Sequence, residues 1–300
     1  MTGAEQGFLL LTSHLGNLER SPLSVAQMHT LAQRAAKMGN FELDRDLSPS
    51  DLVSLGYNAE MAQRIWALLQ ETDLLSYYLQ RGNRAGCEVV SRIGRDYPYE
   101  LREALGLDSP GCLWYQGDIS LLQTRKIAVV GSRDLAPQNR AFAETLGYQA
   151  ARQGYTLVSG NARGADRTAQ EACLRAGGKV ISVVADELSK CNPRENVLYL
   201  SEDDFDAPFS AARALSRNRV IHALGEKTFV CQCTCGMGGT WNGTVKNLRF
   251  GWSPVFHFAD GSEGSSQLEQ MGAKPVIQED LQDLQGLRSG EINFFNKSEY

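Results

Sequence analysis

Three hundred residues carry 30 Lys and Arg against 35 Asp and Glu, a formal net charge of −5, which excludes a histone-like polycation and a disordered acidic tail. Hydrophobic residues make up 42% and charged residues 22% of the chain, ordinary globular usage, so a sizeable core is expected and the length suggests about two domains. No basic residue precedes the short apolar run from Phe8 to Leu11 and no stretch approaches the roughly 20 apolar residues of a membrane span; with seven cysteines, an odd number, the expectation is a cytoplasmic protein with no secretory signal and no membrane.

In chain order, Ser21-Pro22 reads as an N-cap followed by proline at the first helical position. Val25, Met28, Leu31, Ala32 and Ala35 then recur at helical spacing before Gly39. Ser48-Pro49 repeats the signal, and Met61, Ile65, Leu68, Leu69, Leu75, Tyr78 and Leu79 extend an amphipathic pattern to Arg81-Gly82-Asn83. Residues 1–85 are therefore predicted as a small all-helical module. Residues 86–123 mix turn and aromatic residues and are predicted as a connecting hairpin or extended segment. From Lys126 five short apolar runs, at 126–130, 155–159, 179–184, 227–233 and 254–258, alternate with helical spacings such as Phe142, Leu146, Ala150 and Ala169, Ala172, Cys173, Ala176. That rhythm predicts an α/β fold with a doubly wound, Rossmann-like, mainly parallel sheet over 124–280, followed by a C-terminal tail at 281–300.

Ligands of such sheets bind at the carboxyl ends of the strands, so the following loops are the place to look. The first, Gly131-Ser132-Arg133, combines a glycine for close backbone approach, a hydroxyl and a guanidinium fork, an anion site in outline; a plain strand-to-helix turn with a solvated arginine is the alternative. The second, Ser159-Gly160-Asn161-Ala162-Arg163-Gly164-Ala165-Asp166, repeats that chemistry. Asp166 either holds Arg163 or Arg133 or caps the following helix, and capping is the favoured role. At Ser216-Arg217-Asn218-Arg219 two arginines diverge by about 200° on an ideal helix, so only one is expected to face the site. A third glycine-rich loop, Cys235 to Thr244, offers Gly239 and Thr240 to another phosphate. Cys231, Cys233 and Cys235 are expected on one face of a strand, as buried cysteines rather than zinc ligands. Of Trp114, Tyr115, Trp241 and Trp252, only Trp241 is a candidate for stacking on a base.

Three segments, VVGSR at 129–133, SGNARGADRTAQEACLRAGGKVISVV at 159–184 and SRNRVIHAL at 216–224, resemble signature segments of the DNA-processing protein A (DprA/Smf) family. The Tyr97-Pro98 pair leading to Trp114-Tyr115-Gln116-Gly117 is similar to that family's entry segment, so the resemblance spans about 95–277. It implies an extended Rossmann-like domain that binds single-stranded DNA in a basic pocket, dimerises and hands the DNA to a RecA-type recombinase during natural transformation. It implies neither catalysis nor a cofactor. The pocket residues it implies are Gly131, Ser132, Arg133, Ser159, Gly160, Arg163, Gly164, Lys179, Arg217, Asn218 and Arg219, to which the third loop adds Gly239 and Thr240. Gln170 stands where the family usually has histidine, and Gln138-Asn139 where a glycine usually follows the first loop. The residues after about 277 are too few for the winged helix of many members, so an architecture without it is expected.

Two other readings attach to the same loops. Nucleotide-processing enzymes of the Lonely-guy type resemble the chain in their glycine-threonine loops, but no Asp or Glu follows Thr244 before Phe250 to supply the general acid or base. A sensor of free nucleotide is the third. Residues 124–179 hold nine basic and four acidic side chains and residues 207–258 six and one. The net-acidic chain therefore concentrates positive charge in the two stretches that carry the candidate loops, as a nucleic-acid partner requires.

Overall fold

The structure, a computed structural model, describes residues 1–17, 19–37 and 47–288. The predicted helix end at Gly39 and residues 289–300 of the predicted tail lie outside the described residues. Five helices open the chain: α1 (Gly3–Thr12), α2 (Val25–Lys37), α3 (Pro49–Ser54), α4 (Ala59–Gln70) and α5 (Thr72–Arg84). Helix α2 does not start at Pro22. The Leu23 N–H is engaged on the Leu11 carbonyl at 2.8 Å. Ser24 and Gln27 instead form a capping box, with Ser24 Oγ accepting from the Gln27 amide at 3.3 Å and Gln27 Oε1 from the Ser24 amide at 2.9 Å. Ser48 caps α3 as expected, with Pro49 in the first turn. The continuous amphipathic pattern beyond it is cut at Gly56, which has φ +87°, and restarted by Asn58, whose side chain accepts from the Met61 amide at 2.8 Å.

The segment expected to be a mere connection belongs to the sheet. Strand β1 (Glu88–Ser91), helix α6 (Tyr99–Leu105) and strand β2 (Cys112–Gln116) form an antiparallel extension of it. Fully buried Trp114 meets Tyr78 edge-on at 5.2 Å and Phe205 at 4.8 Å, which locks the helical module to the sheet.

The remaining elements are β3 (Lys126–Val130), α7 (Pro137–Arg152), β4 (Thr156–Ser159), α8 (Ala165–Arg175), β5 (Lys179–Val183), β6 (Val197–Ser201), α9 (Ala211–Ser216), α10 (Asn218–Leu224), β7 (Thr228–Val230), α11 (Gly238–Phe250), β8 (Val255–Phe258), α12 (Glu263–Gln270) and β9 (Lys274–Val276). The nine strands run in the order β1-β2-β6-β5-β4-β3-β7-β8-β9, parallel from β6 to β9. Helices α7 and α8 cover one face; α6, α10, α11 and α12 cover the other. Leu281 and Leu284, assigned from sequence to a tail, are fully buried against α7 and its face of the sheet. Lys227 Nζ donates to the carbonyls of Leu284 and Gln285, and the Leu284 amide donates to Gln153 Oε1 at 2.8 Å. Among the described residues no helix is long and apolar enough to cross a membrane.

The chain progresses outward from β3 to β6, then returns to place β7 on the other side of β3. The gap between the carboxyl ends of β3 and β7 is therefore the topological switch point, where the connections leave to opposite faces and open a crevice.

Candidate functional site

The crevice is built from backbone groups and two side chains, those of Gln232 and Thr240, that bond to them. The Ser132 amide donates to the Gln232 carbonyl at 2.9 Å, the Ala136 amide to Gln232 Oε1 at 2.9 Å, and Thr240 Oγ1 to the Gly131 carbonyl at 3.0 Å. These bonds tie the first loop to the third across the switch point. The second loop is pressed onto the first. Gly164 has φ +89°, and a Cβ there would fall 2.3 Å from the Ser132 carbonyl oxygen and 2.4 Å from that of Arg133; the Ala165 amide donates to the same Ser132 oxygen at 3.1 Å. Only glycine permits that approach. At Gly160 a Cβ would fall 1.9 Å from Arg217 Nη1, so the second loop lies directly over that guanidinium.

Buried charge underlies the loops. Arg217 donates from Nη1 to the Val183 carbonyl at 2.6 Å; burial lowers its pKa, opposed by Asp166 and then Glu202. Asp166 is not the N-cap, because Gly164 occupies that position. Its Oδ2 instead accepts from the amides of Gly160 at 2.9 Å and Ala162 at 3.2 Å, shaping the loop before the helix. Burial raises its pKa, while Arg217 and these amides pull it back down. Arg219 points elsewhere, donating to Glu202 Oε2 at 2.6 Å and to the Asp108 carbonyl at 2.5 Å. Asn218 Nδ2 donates to the Gly239 carbonyl at 3.1 Å, bracing the third loop.

Of the thirteen residues named from sequence, eleven line this edge or brace it; Arg219, turned to Glu202 and Asp108, is one exception and Lys179 the other. Lys179 is exposed at the start of β5, and four steps of about 3.3 Å each put it some 13 Å from the carboxyl end. Arg133 is exposed and makes no ion pair among the described residues. Arg163 reaches Asp134 at 2.7 Å, with both side chains more than 70% exposed, so water and salt screen that pair.

Gln170 is buried and donates to Ser159 Oγ at 2.6 Å with Ser182 Oγ at 3.5 Å, fixing the end of β4 from beneath. Asn139 is buried too, donating to the Cys231 carbonyl at 2.8 Å and Asp260 Oδ2 at 2.6 Å. The cysteine run does not share a face. Strand β7 ends at Val230, after which Cys231 enters the core beneath α7 and Cys233 the core on the opposite side. Trp241 is half-buried against the core on the α10 face rather than free to stack. Sequence reasoning missed Gln232, whose backbone and side chain hold the first loop; its only signal was its place inside the cysteine run.

Exposed guanidiniums at the mouth of closely packed loops, with the buried Arg217 beneath them, suit an anionic ligand. Residues 88–285 match the family model of DNA recombination-mediator protein A. The chain is similar to the DNA processing protein DprA of Bacillus subtilis (strain 168), 30% identical over 158 residues, covering 49% of this chain and 52% of that protein. It is also similar to the DprA of Streptococcus pneumoniae, 32% identical over 193 residues, covering 60% and 67%. The chain thus spans about half the length of the Bacillus relative. Among solved structures, DprA from Streptococcus pneumoniae superimposes with a TM-score of 0.69 at 26% identity over 92% of this chain and 95% of that one. A Helicobacter pylori DprA, described for its single-stranded DNA binding mode, superimposes with a TM-score of 0.54 at 26% identity over 63% and 90%.

Proposed function

The chain belongs to the DNA recombination-mediator protein A family, and on that footing we propose that it is a single-stranded DNA-binding protein working without catalysis or cofactor. In this reading it acts in the cytoplasm as a homodimer, protects exposed or incoming strands and delivers them to a RecA-type recombinase. The observation that carries the DNA reading is the crevice itself: three loops already joined by hydrogen bonds, with Arg133 at the mouth making no ion pair among the described residues and Arg217 beneath Gly160. The single-stranded DNA binding described for the Helicobacter relative supports it.

Within the site, Gly131, Ser132, Arg133, Gly160, Arg163, Gly164, Gly239 and Thr240 contact phosphate. Ser159, Arg217 and Asn218 position the loops, and Arg219 pins α10 to the segment after α6. Affinity then comes from phosphate contacts with little sequence preference. A fluorescence titration with labelled oligothymidylate at several salt concentrations tests this. Binding should fall steeply with salt, and the Arg133→Ala/Arg163→Ala double variant should bind more weakly with a slope of log K against log salt shallower by about 1.4, at about 0.7 per lost contact on single strands. No binding by the unaltered protein at low salt would sink the DNA reading in favour of a free nucleotide; unchanged binding by the double variant would show the pocket to be elsewhere.

A further inference from the structure

We propose that Arg140 and Arg167 form a phosphate track that carries a bound strand out of the crevice across the first turns of α7 and α8. This rests on the single-stranded DNA reading above and adds what that crevice lacks, a reason to prefer an oligomer over a mononucleotide.

Both side chains are exposed. Arg140 reaches across from α7 to place Nη1 3.3 Å from Thr168 Oγ1 on α8. Arg167, the neighbour of Thr168, donates from Nε to the Asn161 carbonyl at 3.3 Å, which sets it against the second loop. With Arg133 and Arg163 they make four exposed guanidiniums at one end of two packed helices, and among the described residues only Arg163 has a carboxylate partner, Asp134.

The neighbouring cations are used differently. Arg213 is held by Asp203, Arg219 by Glu202 and Arg81 by Asp206, whereas on this flank Arg133, Arg140 and Arg167 make no ion pair among the described residues, the exposed Glu144 and Glu171 standing one turn further along α7 and α8. Cations in the first turn of a helix also oppose the helix dipole. Arg140 has no acidic residue beside it in its turn and Arg167 makes no ion pair with its neighbour Asp166, so both guanidiniums stand open to a polyanion lying over them. A short oligonucleotide is held by the loops alone, and only a longer strand reaches the flank as well.

The test compares the full chain with the Arg140→Gln/Arg167→Gln variant, using oligothymidylates of about 3 and about 20 nucleotides across a salt series. A second variant, Arg152→Gln/Arg175→Gln, removes the same charge from the exposed far ends of the same helices. The track predicts that the first variant binds the long strand more weakly, with a salt slope shallower by about 1.4, and binds the short one as the unaltered protein does. The far-end variant should retain the full slope. An unchanged slope on the long strand, an equal loss at both lengths, or the same loss in the far-end variant would each overturn the track while leaving DNA binding in place. Failure of the unaltered protein to bind either oligonucleotide would instead remove the reading on which the track stands.

Discussion

His222 is fully buried on α10, with Nδ1 3.1 Å from Asn247 Nδ2 and 3.3 Å from Thr228 Oγ1. Burial lowers its pKa from 6.5 to about 3. A folded pKa below the unfolded one means that the unfolded chain takes up the proton first. The stability His222 contributes is therefore complete above about pH 6.5 and is lost progressively as pH falls toward 3. At about 1.36 kcal/mol per pH unit, on the order of 3 kcal/mol should disappear between pH 7 and 4 from this residue. Urea melts of the protein and of a His222→Gln variant check it: the variant's stability should depend less on pH over that window, and parallel curves would refute the assignment. The need for glycine at 160 and 164 was legible because the missing side chain alone dictates it. Asp166 was misread because capping is a local rule, whereas its true partners, the amides of Gly160 and Ala162, are brought to it by the fold of the loop.

Loop and helix meet most tightly where α8 begins. Gly164 carries a backbone conformation that L side chains rarely adopt, and the oxygens of Ser132 and Arg133 occupy the space of a Cβ. Gly164→Ala is thus expected to cost about 3 kcal/mol, or to push the second loop off the first. Denaturant unfolding together with the oligothymidylate titration measures both outcomes, and near-native stability with near-native binding would contradict the close approach. Strands were legible as elements where one apolar run sits between helical spacings, as in β3, β4, β5, β7 and β8. The others depend on distant partners: β2 is defined by pairing Gln116 with Tyr199 and Trp114 with Ser201. Three-residue β9, with proline in it, carries no strand signal of its own. Helix α2 shows the same limit at its start, because Ser21-Pro22 satisfies the local rule while Leu23 is bound to Leu11.

At the scale of the molecule, a sheet of nine strands unites what the sequence divides into a helical module, a connection and a Rossmann-like domain. Trp114, Tyr78 and Phe205 make one aromatic cluster from α5, β2 and the loop after β6. Positive charge is sorted over that frame. The basic stretches supply the loops at the carboxyl edge of the sheet, and the acidic stretch 185–206, with seven acidic and two basic residues, is consumed largely by internal pairs.

The bonds from Ser132 and Ala136 to Gln232, and from Thr240 to Gly131, have a kinetic consequence. Loops that already hold one another need no ordering before a ligand docks, so encounter alone limits association. Stopped-flow traces should be single-exponential, with an observed rate that rises linearly with protein concentration, and salt should slow capture by weakening long-range attraction. A rate that saturates with concentration would reveal a slow opening step that these cross-loop bonds do not provide.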